Sequence, residues 1–308
     1  MKLAFLYAGQ GSQRAGMGRD LYAAYPAFRE AFDAAALDFD LHSVCFDDPD
    51  GVIGRTQYTQ PCMVAFAAGV TAELARRGIV PDYAAGLSLG EYSALQCAGV
   101  FTAKAAVELA AFRGAAMAKA AEGIESAMLA VLGLAREPLA RCCEEAGGVV
   151  RICNYNCPGQ LVIGGEKAAV LRAGELAKAA GARRLMPLRV SGPFHTPLMR
   201  PAGEALQRRF ETEPFGEMRI PVLFNCLGHE KGDETIAALL VRQVSESVYM
   251  EDTIRRLAAL GVDTVVEIGP GRALSGFVGK TVGDAIACHA VEDVDTLEAA
   301  AAALAERA

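Results

Sequence analysis

A chain of 308 residues, 52% of them hydrophobic, is long enough for one large α/β unit carrying a smaller insertion and for a sizeable buried core. Its 30 basic and 37 acidic residues leave a net charge of −7 with no basic stripe, so nucleic acid is not an expected partner. No uncharged apolar run approaches the ~20 residues of a membrane span, and the nine irregularly spaced cysteines suggest neither a disulfide framework nor a C-x-x-C pair, so a soluble chain with reduced thiols is expected.

The opening residues, Met1 to Gly9, pass from an apolar run straight into a glycine loop with no cleavage site. They read as a first strand rather than a signal peptide, which predicts a cytoplasmic protein. From Leu3 to Gly99 short apolar runs alternate with long amphipathic stretches, the pattern of a mostly parallel sheet flanked by helices. Thr59 is placed to cap a helix that has Pro61 in its first turn and runs to Arg77 and Gly78. Tyr83 to Gly86 is a short strand followed at once by a helix from Leu89 to Cys97, and Thr102 caps a longer helix through Ala121. At Gly123 the texture changes. Strand (Met128 to Leu132), helix (Pro138 to Ala146), strand (Val149 to Asn154), strand (Leu161 to Gly164), helix (Lys167 to Ala180) and strand (Arg184 to Leu188) follow in the βαββαβ order of a ferredoxin-like domain. The expected organisation is therefore a ferredoxin-like subdomain at 126–190 inserted into a large catalytic domain of 1–125 and 191–308. Strands at Pro221 to Asn225, Thr264 to Ile268 and Ala285 to Cys288 complete the large sheet.

Gly86-Leu87-Ser88-Leu89-Gly90 fits G-x-S-x-G, in which small flanking residues let a strand reverse into a helix sharply enough to expose a serine hydroxyl. A helix cap is the plainer role for Ser88; its place between strand and helix favours a nucleophile. The Leu89 N–H then lies at a helix N-terminus, where an oxyanion gains a donor and the helix dipole. A serine nucleophile needs a base, and the chain has four histidines: His42, His195, His229 and His289. His195 sits in Ser191-Gly192-Pro193-Phe194-His195-Thr196-Pro197, a stiff turn ahead of a helix for which Thr196 is the expected cap; His289, at the end of a late strand, is its competitor. His42 and His229 fall in polar loops. Arg113 lies inside the long helix among small and apolar residues, followed by Gly114, which leaves room for a ligand. Such an arginine can snorkel, pair with Glu108 or Glu122, or hold a substrate carboxylate through two parallel bonds and so select a dicarboxylic acyl group.

Taken together these residues resemble the malonyl-CoA:acyl carrier protein transacylases and the related acyltransferase domains of fatty-acid and polyketide synthases. The resemblance covers nearly the whole chain, through Gly9 to Gln13, Thr59-Gln60-Pro61, Ser88 to Leu95, Arg113-Gly114 with Met117, Asn154 to Gln160, Pro193-Phe194-His195, Val241-Arg242-Gln243 and Glu267 to Gly271. It implies an α/β-hydrolase-like fold with Ser88 as nucleophile and His195 as base. It further implies oxyanion N–H groups from Gln10 and Leu89, substrate binding by Arg113, Gln60, Met117, Asn156 and Phe194, and a Gln243 carbonyl that orients the histidine. Phe194 looks like the malonyl-preferring form of its motif, which disfavours methylmalonyl. The implied partners are malonyl-CoA and acyl carrier protein, with the phosphopantetheine carried by the latter, and a monomer with no metal, no cofactor and no membrane contact. Arg183, Arg184, Arg272 and Lys280 are candidate carrier contacts. Two positions depart from the family: Ala8 stands where proline is usual and Leu87 where histidine is usual. The rival function is a serine hydrolase in which Ser88 is served by His289 with Asp263 or Glu267, although the chain has no upstream HGGG-type donor loop.

Overall fold

A computed structural model describes residues 1–305. Among these residues there are ten strands: β1 (Leu3–Tyr7), β2 (Tyr83–Gly86), β3 (Ser126–Leu132), β4 (Val150–Cys157), β5 (Gln160–Glu166), β6 (Arg184–Pro187), β7 (Val222–Phe224), β8 (His229–Glu230), β9 (Thr264–Ile268) and β10 (Ala287–Val291). No helix among the described residues is long and apolar enough to cross a membrane. Two compact units divide the chain. The first comprises Met1–Gly114, Pro214–Leu223 and the chain from Arg255 onward; the second comprises Ala115–Glu213 and Phe224–Ile254.

In the first unit the strands run in the order β10-β9-β1-β2-β7, and every pairing is parallel. A parallel sheet is covered on both faces, which is why β1 and β9 are buried at every position instead of alternating. Phe5 pairs with Ala84 on one side and Val266 on the other, so the central strand is locked in register from both flanks. The helix expected to start at Thr59 spans Thr56–Arg76 and carries Pro61 inside it. Thr59 does not cap it. Its hydroxyl donates to the Ile53 and Arg55 carbonyls at 2.5 and 3.1 Å, and so acts as donor where a cap would accept. Thr102 does accept from the Ala105 N–H at 3.1 Å, the bond of an N-cap, at the start of helix Ala103–Ala121. The last strand begins at Ala287, two residues later than expected, because Gly283–Ala285 forms a 3-10 turn; His289 is consequently mid-strand.

In the second unit β3, helix Arg136–Ala146, β4, β5, helix Lys167–Ala179 and β6 follow one another, and the antiparallel sheet is ordered β4-β5-β3-β6. The first of these helices buries Leu139, Cys142, Cys143 and Ala146, a spacing of three, one and three that sets one apolar stripe on the sheet. Leu129, Val131, Ile152, Ile163 and Val170 share that core.

Candidate active site

Within the first unit, β2 ends at Gly86 and helix Gly90–Cys97 begins four residues on. A Cβ on Gly86 would lie 2.1 Å from the Gly90 carbonyl carbon, and one on Gly90 would lie 2.2 Å from the Tyr7 carbonyl oxygen, so both glycines of G-x-S-x-G are sterically required. The reversal forces Ser88 to φ 50°, in the left-handed region. Only two other non-glycine residues among those described have positive φ, Asp48 and His195, so two of the three are the residues singled out as nucleophile and base. Strain of this kind collects where a side chain has to be aimed. The Leu89 N–H, at the N-terminal end of the helix, and the Gln10 N–H have no acceptor among the described residues. Two such donors suit an anion. The Gln10 side chain donates to Thr56 Oγ1 at 3.0 Å.

Arg113 is fully buried and does not snorkel. Its Nη1 donates to Gln60 Oε1 at 2.8 Å, its Nη2 donates to Ser88 Oγ at 3.1 Å, and the guanidinium carbon sits 5.5 Å from the centre of the Tyr92 ring. Glu108 instead lies 3.9 Å from Lys104. Burial pulls the Arg113 pKa down, while Tyr92 and Glu91 push it back up. Gly114 does not make room for a ligand. Its missing Cβ would meet the Thr56 carbonyl oxygen at 2.8 Å and the Gln57 Cα at 3.0 Å, so the glycine lets helix Ala103–Ala121 approach helix Thr56–Arg76 closely enough for Arg113 to reach Gln60.

In the second unit His195 is 3% exposed with φ 62°. Its Nδ1 is 2.7 Å from the Gln243 carbonyl oxygen, and its N–H donates to Val244 O at 3.1 Å. A carbonyl can only accept, so Nδ1 carries the proton and Nε2 is left as the basic nitrogen. Thr196 is not a cap: its hydroxyl donates to Pro193 O at 2.6 Å, and a 3-10 turn at Pro197–Met199 precedes helix Arg200–Phe210. Phe194 is buried against Gly192, whose Cβ would lie 3.1 Å from the ring. Met117 is buried, and Asn156, on β4 and 7% exposed, has no partner for its Oδ1 among the described residues.

The rival arrangement does not assemble. His289 on β10 is three strands from β2, roughly 14 Å at ~4.8 Å per strand. Its register partner is Val266, so the Glu267 side chain points to the opposite face of the sheet. Glu267 is engaged in accepting from the Leu274 and Ser275 N–H groups and the Ser275 hydroxyl at 2.6–2.9 Å. Asp263 precedes β9, at the end of the parallel sheet away from the elbow. His42 lies 2.7 Å from Asp33 and packs edge-on to Tyr22, Phe32 and Phe46, so it is part of an aromatic cluster rather than merely solvated. Tyr92 is the neighbour of the site that pattern reading missed. Its one signal was an aromatic residue one helical turn after Ser88.

A strand-to-helix elbow bearing a strained serine, with the unbonded Leu89 N–H next to it, has the form of an acyl-transfer centre, and the chain belongs to the acyl transferase family, whose acyl transferase domain matches residues 4–304. The chain is 41% identical to the malonyl CoA-acyl carrier protein transacylase of Bacillus subtilis (strain 168), over 99% of this chain and 98% of that protein. It is 39% identical to the enzyme of the same name from Escherichia coli (strain K12), over 97% and 98%. The crystal structure of the malonyl CoA-acyl carrier protein transacylase from Clostridium perfringens matches with a TM-score of 0.95 at 37% identity, covering 100% of this chain and 98% of that one. A type II PKS acyl-carrier protein in complex with its malonyl-transacylase matches at 0.93 and 38%, covering 98% and 100%.

Proposed function

We propose that this enzyme transfers the malonyl group from malonyl-CoA to the phosphopantetheine thiol of holo acyl carrier protein, through a Ser88 acyl-enzyme. The observation that carries this reading is the 3.1 Å hydrogen bond from the buried Arg113 guanidinium to Ser88 Oγ. An acyl group on that oxygen has a cation within reach of a carboxylate one methylene beyond its carbonyl, the length of a malonyl group.

In the proposed reaction His195 Nε2 takes the Ser88 proton while Oγ attacks the thioester carbonyl. The Leu89 and Gln10 N–H groups hold the tetrahedral oxyanion. Collapse breaks the carbon–sulfur bond, and His195 returns the proton to the departing coenzyme A thiolate. The carrier thiol, deprotonated by the same imidazole, then attacks the serine ester and regenerates Ser88, a ping-pong scheme. The Gln243 carbonyl keeps the imidazole in the required tautomer, supported by the 2.7 Å contact to Nδ1. Arg113 and Gln60 take the malonyl carboxylate end, with Met117, Asn156 and Phe194 as further substrate contacts, and the flat Phe194 ring disfavours methylmalonyl. No cofactor enters this reaction.

The large sheet is read as α/β-hydrolase-like, and the βαββαβ segment as a ferredoxin-like subdomain at 126–190 set into a catalytic domain of 1–125 and 191–308. The chain is further proposed to work as a cytoplasmic monomer. Ala8 in place of the usual proline supports an intact site, since its N–H donates to Ile268 O at 3.0 Å, a bond proline cannot make. Incubation with radiolabelled malonyl-CoA, quenching and peptide mapping tests the scheme: label belongs on Ser88. Retention of label in Ser88→Ala would disprove it.

A further inference from the structure

We propose that Tyr92 is a positioning residue of the carboxylate clamp, its ring face fixing the plane of the Arg113 guanidinium. This rests on the acyl-transfer reading above. Gln60 Oε1 lies 2.8 Å from Nη1, Ser88 Oγ lies 3.1 Å from Nη2, and the Tyr92 ring has its centre 5.5 Å from the guanidinium carbon. Hydrogen bonds in the guanidinium plane resist tilting out of that plane only weakly, and a ring face against the cation resists it directly. The ring is itself immobile. It is fully buried and stacks on Phe101, with centroids 6.3 Å apart and planes 16° from parallel.

The chemistry of Tyr92 points to its face rather than its hydroxyl. The hydroxyl oxygen is buried with no hydrogen-bond partner among the described residues, a costly arrangement that phenylalanine would avoid. What the site uses is the negative quadrupole of an electron-rich ring against a cation that has lost its hydration. Tyr92 lies on helix Gly90–Cys97, one turn after Ser88, so a single helix carries the proposed oxyanion donor at its tip and the platform of the clamp on its side. Glu91, also buried, is the acidic neighbour, and its charge acts on Arg113 as well.

The test is kcat and KM for malonyl-CoA and acetyl-CoA in the wild type, Tyr92→Phe, Tyr92→Met and Phe101→Leu, with thermal melting of each. Tyr92→Phe keeps the face and should hold the malonyl preference within about twofold. Tyr92→Met fills the space without a quadrupole and should lower that preference about tenfold, through a higher KM for malonyl-CoA, with the acetyl-CoA constants changed far less. Phe101→Leu loosens the ring without removing it and should give a smaller loss in the same direction, which keeps the proposal testable if Tyr92→Met does not fold. Equal losses for both substrates, an unchanged preference in Tyr92→Met, or a Tyr92→Phe loss as large as that of Tyr92→Met would overturn it. A wild type with no malonyl label on Ser88 would instead sink the acyl-transfer reading, and the clamp with it.

Discussion

Replacing Gly90 with alanine would place a methyl group 2.2 Å from the Tyr7 carbonyl oxygen, 2.8 Å from its carbon and 3.1 Å from the Ala8 oxygen. Ordinary contact begins at 3.4 Å, so helix Gly90–Cys97 must move away from β1 by about 1.2 Å. The obstacles are backbone atoms of a central strand held on both sides, and no flexible side chain can yield. Overpacking of this kind costs ~3 kcal/mol, the upper end of the usual range, and lowers the melting temperature by roughly 5–10 °C in a chain of this size. The shift also carries Ser88 and the Leu89 N–H with it, and misplacement by ~1 Å costs on the order of a hundredfold in rate. Differential scanning calorimetry and the initial rate of Ser88 malonylation measure the two effects. Gly276→Ala is the control: its added Cβ meets nothing within 4 Å inside helix Ala273–Val282, so it should stabilise by ~0.5–1 kcal/mol and leave the rate alone. Wild-type melting and labelling in Gly90→Ala would refute the steric account of the elbow.

Arg113→Ala should lower kcat/KM for malonyl-CoA by roughly a hundredfold, the loss of a two-point charge-assisted contact, and change acetyl-CoA turnover far less; equal losses in a competition assay would speak against a carboxylate clamp. His195→Ala should slow acyl-enzyme formation by about 10²–10⁴-fold, whereas His289→Ala should remain near wild type in the same rapid-quench measurement. Glu298 accepts from Arg77 at 2.7 and 2.8 Å and from the Tyr25 hydroxyl at 2.6 Å, and these bonds, Arg77 first, hold its pKa down to about 2. A depressed carboxylate stabilises the fold above its unfolded pKa near 4.5, and that contribution disappears as pH falls towards 2. Glu298→Gln should therefore flatten the acid limb of melting temperature against pH, by a small amount because the carboxylate is half exposed. An unchanged acid limb would show that the pair does not couple to folding.

Strands and the elbow were legible because their signals are local. Thr264–Ile268 is rich in β-branched residues with turn residues at both ends, and Gly86 and Gly90 mark a reversal that only glycine permits. The smaller sheet was readable as an order of elements, with ends off by one to three residues where polar residues such as Gln160 and Glu166 continue a ladder. What escaped was decided by packing. Pro61 reads as a first-turn residue, yet burial of nearly the whole length of helix Thr56–Arg76 carries the helix back past it. Gly114 reads as ligand space because nothing local reveals that another helix backbone lies against it. His289 reads as a strand end because one residue of register decides which face it takes, and register is set by β9. Arg113 left three choices open, and its burial beside Gln60 and Ser88 removes the snorkelling one.

The left-handed backbone at Ser88 and His195 sets a rule for engineering. Each such residue costs on the order of 1–3 kcal/mol that glycine at the same position would largely recover. A campaign that selects for heat resistance without selecting for turnover would be drawn to these two positions early, and would gain robustness by discarding the proposed nucleophile and base. Libraries built on this scaffold should hold residues 88 and 195 constant and seek their gains elsewhere.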